Sequence, residues 1–252
     1  MRVVASRFDS EHYGLDIGRI VAEPSASATD LRAAIAASES QFHVVFLRTP
    51  EGSSLDRELR RRGESPADVL VTSMWNHSPP KETPFGAPTQ VSGRTAQFAI
   101  EAHERLTADA DISAIEAVSA QVLRRSHLHS DPRLPAERTR RYYAVWARNN
   151  AMGRAQRTLV ARAAGQVIGY LSVLDANDRV VIDLVAVGAA WQGQGVGAAL
   201  LAELSASLAK RDKIVATVGT QADNPALKLY QRFGYVPSES HATYHLWLDG
   251  EG

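Results

Sequence analysis

The feature that most constrains the fold is a strand, a glycine-rich loop and a helix that follow one another directly. Residues 180–187 read VVIDLVAV, a near-continuous apolar run typical of a strand buried on both faces. Residues 192–197 read QGQGVG, and a helix predicted from Val196 to Lys210 carries its apolar side chains on one stripe. Glycines let a backbone approach a ligand closely, and free amides at a helix start attract anions. We therefore predict a pyrophosphate-binding loop; the alternative is a turn that merely requires glycine.

Two other phosphate-binding patterns do not fit this loop. The dinucleotide fingerprint G-x-G-x-x-G is spaced differently, and the preceding runs 158–163 and 166–173 predict an antiparallel hairpin turning at Ala164-Gly165. A P-loop requires G-K-[ST], which is absent. The ligand is therefore expected to belong to another class of phosphate compound.

The remaining segments predict short strands and helices in alternation. They favour an α/β (α+β) protein with a mixed, mostly antiparallel sheet flanked by helices. The predicted strands are 42–48, 68–75, 97–105, 213–219 and 243–248, the predicted helices are 28–38, 54–62, 109–125, 136–149 and 225–233, and 126–135 is predicted to be irregular. In the first part, strand, helix and strand follow one another at 42–75, which predicts a crossover connection.

A change of composition divides the chain. From Asn76 to Arg94 the sequence reads NHSPPKETPFGAPTQVSGR, without helix or strand periodicity. We interpret residues 77–94 as a linker between an N-terminal unit, residues 1–76, and a second unit, residues 95–252. A long surface loop within one domain is the alternative.

Composition excludes several classes of function. Lys plus Arg equals Asp plus Glu at 28 each, so nucleic-acid binding is not expected. The absence of cysteine excludes disulfides and thiolate metal sites. No apolar run approaches the roughly 20 residues that span a bilayer, and the N-terminus lacks a signal-peptide core. We expect a cytoplasmic protein that does not associate with membranes.

The segment SHLHSDPRLP contains the one histidine pair that could bind a metal or act as a base. His127 and His129 could lie on one face, with Asp131 nearby, if the segment were extended. The segment is predicted to be irregular and no third ligand is evident, so we expect histidines that line an acceptor cleft or are solvated, and no metal.

Two motifs together identify a family. The run LVAVGAAWQGQGVGAALL, residues 184–201, resembles motif A, [QR]-x-x-G-x-[GA], of the GCN5-related N-acetyltransferases (GNATs). The run NPALKLYQRFGY, residues 224–235, is similar to motif B, N-x-x-A-x-x-L-Y-x-x-x-G-[FY]. Asn224 lies six residues before Tyr230 where the family usually has seven, so the Asn position of the motif can also fall on Asp223.

Further segments resemble the sugar-nucleotide acetyltransferases of the TDP-fucosamine N-acetyltransferase type. They are residues 8–18, 140–146, 216–217 and 244–247. The resemblance implies a GNAT fold preceded by a smaller half-GNAT-like unit, with acetyl-CoA as acyl donor and a small-molecule amine, such as an amino-sugar nucleotide, as acceptor. Alternatives are an acetyltransferase of an amino acid, an antibiotic or another amine, and a non-catalytic acyl-CoA-binding module. Whether the protein forms a homodimer is left open.

The resemblance also implies roles for individual residues. In the family the strand before the loop separates from its neighbour, and its backbone holds the pantetheine arm and supplies candidate oxyanion donors. Tyr230 occupies the position of a phenol that protonates the leaving thiolate; packing of its helix is the alternative. Asp183 interrupts an apolar strand and is expected to relay the amine proton through water, or else to bond to a loop. The expected cofactor-binding residues are Val185, Ala186, Val187, Gln192, Gly193, Gln194, Gly195, Val196, Gly197, Ala198 and Asn224.

Overall fold

A computed structural model describes residues 1–23, 25–76, 98–176, 179–211 and 214–248. The predicted linker, residues 77–94, lies outside the described residues, so the division into two units stays a prediction. The strands are β1 Arg2–Ala5, β2 Ile17–Val21, β3 Val44–Pro50, β4 Asp68–Asn76, β5 Ala99–His103, β6 Arg157–Ala163, β7 Gln166–Ala176, β8 Arg179–Val187, β9 Val215–Gln221 and β10 Val236–Trp247. The helices are α1 Arg7–Tyr13, α2 Ala28–Ala36, α3 Ser54–Arg61, α4 Asp109–Val122, α5 His127–Ser130, α6 Ala136–Asn149, α7 Val196–Leu208 and α8 Ala226–Arg232. A π-helical turn, Asn150–Arg154, extends α6, and a 3₁₀ turn, Ala189–Trp191, follows β8.

The described strands form one ten-stranded sheet in the order β1-β2-β3-β10-β4-β9-β8-β7-β6-β5. The pairs β2–β3 and β8–β9 are parallel, and the other neighbours are antiparallel. The predicted mixed, mostly antiparallel sheet is therefore confirmed.

The C-terminal strand joins the two parts of the chain. β10 pairs with β3 on one side, from His241 to Trp247, and with β4 on the other, from Val236 to Thr243. β3 and β4 are thus parallel to each other, as a crossover requires, but β10 lies between them. Because β4 also pairs with β9, residues 1–76 supply strands inside the sheet, and the first part of the chain does not carry a separate sheet.

Helices cover both faces of the sheet. α2, α3, α7 and α8 pack on one face, which we call the α7 face, around Leu47, Leu59, Leu200 and Tyr230. α1, α4, α5 and α6 pack on the other, the α6 face, around Ile115, Leu128, Tyr142 and Tyr170. No helix of the described residues is long and apolar enough to cross a membrane.

Local sequence signals account for several elements. The predicted stripe on α7 is confirmed, because its buried residues are Val196, Leu200, Leu201, Leu204 and Leu208. The predicted hairpin turn is confirmed too, since Ala164 and Gly165 have φ values of 47° and 78°, as a type I′ turn requires.

Three expectations need correction. Residues 126–135 are not wholly irregular, because α5 forms at His127–Ser130. The last strand begins at Val236, earlier than the predicted residue 243. The series β1, α1 and β2, before residue 28, was not expected, because these elements are too short for their periodicity to be read.

Candidate active site

β8 separates from β9 in the middle of its length. The parallel pairing of the two strands ends at Ile182 and Val218, while β8 stays paired with β7 as far as Val187. A β-bulge marks the point of separation, because Asp183 has no partner between the pairs Val173–Ile182 and Ser172–Leu184. The edge of β8 that faced β9 is therefore open beyond Ile182. Val185, Ala186 and Val187 lie on this open stretch.

The glycine loop follows directly. Gly193 and Gly195 have φ values of 74° and 85°, a region that favours glycine. The side chains of Gln192 and Gln194 turn back and donate to the carbonyls of Val187 (3.0 Å) and Ala190 (2.7 Å). The two glutamines thus hold the shape of the loop.

The start of α7 receives no side-chain cap from its N-cap residue. Gly195 is the N-cap and supplies no side-chain hydrogen bond, so the amides of Val196, Gly197 and Ala198 lack a side-chain cap. The helix dipole adds a partial positive charge at this end. The loop and the helix start therefore form a site suited to an anion.

Asp183 is held by three donors on one carboxylate oxygen. Its Oδ2 accepts from Trp146 Nε1 (2.8 Å), Asn150 Nδ2 (2.7 Å) and Arg154 Nη1 (2.7 Å). The bulge turns its side chain towards α6, and the π-helical turn brings Asn150 and Arg154 to it. Oδ1 takes no hydrogen bond from any described residue and can receive a ligand or water.

The three partners of Asp183 were not identified from the sequence. Trp146, Asn150 and Arg154 follow one another at intervals of four residues, which places them on one side of a helix. That spacing, opposite an acid in a buried strand, is the signal that could have found them.

Tyr230 lies on α8 and is 3% exposed. It packs in the core of the α7 face, with the ring of Tyr235 at 6.0 Å. Burial raises the pKa of Tyr230 above its ordinary value, so its phenol keeps the proton throughout the neutral range. Its hydroxyl makes no hydrogen bond with any described residue, which leaves the donor available to a ligand.

Asn224 occupies a local structural position. Its Oδ1 accepts from the amide of Ala226 at 2.9 Å, at the start of α8. This contact orders the turn before α8, and whether the side chain also meets a cofactor stays a prediction.

A chain of hydrogen bonds on the α6 face was not expected from the sequence. Asp131 Oδ2 lies 2.7 Å from His245 Nδ1, and His245 Nε2 lies 2.7 Å from His127 Nδ1. Trp247 Nε1 also donates to Asp131 Oδ2 at 2.8 Å. His245 and Trp247 belong to β10, so no spacing within residues 126–135 could reveal this series of hydrogen bonds. It ties α5 to the sheet.

The contacts of His127 and His129 show whether these side chains are arranged as metal ligands. No group of three His, Cys, Asp or Glu side chains within the described ranges is arranged to hold a metal ion. His127 and His129 instead bond to different partners, His245 and Ser126.

The buried hydrogen bonds of His127 and His245 predict that the folded protein loses stability in acid. Burial, and then the neighbouring His245 and Arg48, lower the pKa of His127 well below its ordinary value. The unfolded chain therefore binds a proton at His127 below about pH 6.5, where the folded protein does not. We expect the free energy of unfolding to fall as pH drops from about 7 to 5, with a slope of at most about 1.4 kcal/mol per pH unit from this residue.

Urea unfolding at several pH values measures this slope. The variant His127→Gln should be less stable at pH 7.5, where the chain of hydrogen bonds is intact in the parent, and should show a flatter pH dependence. An equal slope in the parent and the variant would show that another group is responsible.

The chain was compared with known proteins. Residues 135–246 match the family model of the acetyltransferase (GNAT) domain, a range that contains the separated strand, the glycine loop and Tyr230. The spore coat polysaccharide biosynthesis protein SpsD of Bacillus subtilis strain 168 is 34% identical over 138 residues, which are 54% of this chain and 48% of SpsD. The chain therefore spans about half the length of this curated relative.

Solved structures share the fold across most of the chain. A GCN5-related N-acetyltransferase from Sphaerobacter thermophilus superposes with a TM-score of 0.62 at 16% identity, over 92% of this chain and 72% of that one. A tandem GNAT protein from the clavulanic acid biosynthesis pathway gives a TM-score of 0.60 at 16% identity, over 94% and 76%. The predicted GNAT fold, with an additional GNAT-like N-terminal part, is confirmed. Residues 135–246 therefore carry an acetyltransferase (GNAT) domain.

Proposed function

We propose that this protein transfers an acetyl group from acetyl-CoA to a primary amine of a small molecule, with an amino sugar or an amino-sugar nucleotide as acceptor. The observation that carries the proposal is the separation of β8 from β9 immediately before the glycine loop and α7. An open strand edge and an anion site in succession suit a ligand that has an extended amide-bearing arm and a pyrophosphate. Coenzyme A has both.

Each part of the site has a task in this reaction. The amides of residues 193–198 would bind the pyrophosphate, and the open edge at Val185–Val187 would pair with the pantetheine arm. Acetyl-CoA supplies the acetyl group as a thioester. Backbone amides of Val185–Val187 would stabilise the negative charge that develops on the acetyl oxygen.

Two side chains would move or hold protons. Asp183, through its open Oδ1, would receive the ammonium or a water that carries its proton away, since an alkyl amine attacks only when neutral. Tyr230 would give its phenolic proton to the departing thiolate. The carbon–nitrogen bond forms as the carbon–sulfur bond breaks, and the products are the acetamide and free coenzyme A.

The sugar acceptor is supported by one relative. SpsD is named for spore coat polysaccharide biosynthesis. An acceptor drawn from carbohydrate metabolism is consistent with that name.

An amine panel tests the proposal. The protein is incubated with acetyl-CoA and, in separate reactions, with amino sugars, amino-sugar nucleotides, amino acids or aminoglycosides. Release of free thiol is followed, and the products are identified by mass spectrometry. We expect acetylation of an amino sugar or its nucleotide. If only another class of amine is acetylated, that amine is the acceptor and the sugar assignment is wrong. Acetyl-CoA binding without any product would indicate a non-catalytic acyl-CoA-binding module.

A further inference from the structure

A cavity of about 450 Å³ opens at the carboxyl end of β9. It lies where β9 ends after its separation from β8, beside the start of β4 and the segment that joins α4 to α5. Its polar lining includes Asp68, Arg124, Arg125, His129, Gln221 and Asp223. The volume is within the range of small-molecule sites, and these side chains come from three distant parts of the chain.

Among the described residues, Asp68 keeps one carboxylate oxygen without a partner. Its Oδ2 accepts from the amide of His127 (2.9 Å) and from Gln221 Nε2 (3.3 Å). Its Oδ1 is buried and has no hydrogen bond with any residue that the structure describes. An unsatisfied carboxylate oxygen is destabilising unless a ligand or water donates to it.

His129, which also lines this cavity, carries a second unsatisfied atom among the described residues. Its Nδ1 lies 3.0 Å from Ser126 Oγ, whereas its Nε2 is buried and unpartnered within the described ranges. The ring stacks on Tyr143 at 6.0 Å and an interplanar angle of 6°. Burial, and then the nearby Arg124, lower the pKa of His129, which keeps the ring neutral and able to accept or donate one hydrogen bond at Nε2.

The charges around the cavity balance. The lining contains two carboxylates, Asp68 and Asp223, and two guanidinium groups, those of Arg124 and Arg125, and Arg125 pairs with Asp223 at 3.2 Å. A bare cation or anion would find no excess of opposite charge there. A neutral ligand that both donates and accepts hydrogen bonds fits better, which is the chemistry of neighbouring hydroxyl groups on a sugar ring.

We propose that this cavity binds the hydroxyl groups of the acceptor's sugar ring, with Asp68 Oδ1 accepting from one hydroxyl and His129 Nε2 bonding to another. The inference rests on the proposed transfer to an amino sugar and adds the residues that distinguish a sugar from other amines. Asp183, at the separation of β8 from β9, would then face the amine, and Asp68 and His129 the ring to which it is attached.

A comparison of two amine substrates distinguishes recognition of sugar hydroxyls from the acetyl transfer itself. Glucosamine and cyclohexylamine both place a primary amine on a six-membered ring, but only glucosamine carries hydroxyls. We expect His129→Phe, which retains a ring to stack on Tyr143, and Asp68→Asn to raise the KM for glucosamine by about 10-fold or more. The KM for acetyl-CoA and the rate with cyclohexylamine should stay unchanged.

The controls address folding. Asp16 and His43 form an exposed pair with a nitrogen–oxygen distance of 3.5 Å, and the matched variants Asp16→Asn and His43→Phe should leave both amines unaffected. Because Asp68 also binds the amide of His127, its variant could loosen α5. The melting temperature of each variant is therefore measured, and His129→Phe provides the second test.

A binding experiment separates this inference from the proposed function. Protein labelled with ¹⁵N-histidine and saturated with coenzyme A is titrated with N-acetylglucosamine, and then with N-acetylcyclohexylamine. We expect the ring signals of His129 to shift with the sugar alone, even if no amine is acetylated. Equal shifts with both compounds, no shift with the sugar, or equal losses on both amines in His129→Phe would overturn the assignment.

Discussion

Replacing Gly195 with glutamate is expected to abolish acetyl-CoA binding, with a loss of affinity of at least about 100-fold. Gly195 has a φ of 85° at the N-cap of α7, next to the amides that are proposed to bind the pyrophosphate. A carboxylate there would face the phosphates, and juxtaposed like charges oppose binding by several kcal/mol. The larger side chain would also occupy the space in front of the amides.

Titration calorimetry with acetyl-CoA measures this loss. The glutamate also strains a left-handed backbone position, so a matched control is needed. Gly63→Glu provides it, because Gly63 has a φ of 87° and open space around it, at the end of α3. We expect Gly63→Glu to lose some stability while binding acetyl-CoA normally. Unchanged affinity in Gly195→Glu would remove the loop from the cofactor site.

Replacing Tyr230 with phenylalanine is expected to lower kcat by about 100-fold or more, as for loss of a general acid. The substitution keeps the buried ring and removes only the hydroxyl. That hydroxyl makes no hydrogen bond with any residue in the described ranges, so its removal leaves no protein group unsatisfied. Acetyl-CoA affinity and melting temperature should therefore change little.

Steady-state kinetics and calorimetry on the same preparations distinguish the two roles of the residue. Tyr235→Phe is the matched control, because Tyr235 is also buried, is 2% exposed, and has its ring 6.0 Å from that of Tyr230. A retained kcat in Tyr230→Phe would assign thiolate protonation to water or another group. Equal losses in both variants would indicate a packing effect.

The glycine loop and its helix could be predicted from the sequence because their signals are local. The conformations of Gly193 and Gly195 and the apolar stripe of α7 depend on neighbouring residues, and the order of the two motifs indicated a GNAT domain. The position of Tyr230 on a short helix ended by Gly234 depends on the same kind of signal: Gly234 has a φ of 83°. Their assignments as ligands and acid stay predictions that the two substitutions test.

The tertiary structure alone decided how distant segments meet. The end of β10, residues 243–248, could be recognised as a strand, but its place between β3 and β4 rests on pairing with segments far away in the sequence. The donors around Asp183 came together through a β-bulge and a π-helical turn, irregularities that periodic patterns do not show.

The cavity with Asp68 and His129 shows the same limit most clearly. The sequence determined the strand that begins at Asp68 and placed two histidines near residue 128, but it could not join them. Asp68 meets α5 through the amide of His127, and α5 is also tied to β10 through His245. A sequence records the periodicity of residues a few positions apart, whereas hydrogen bonds between residues over one hundred positions apart form only when the whole sheet is assembled.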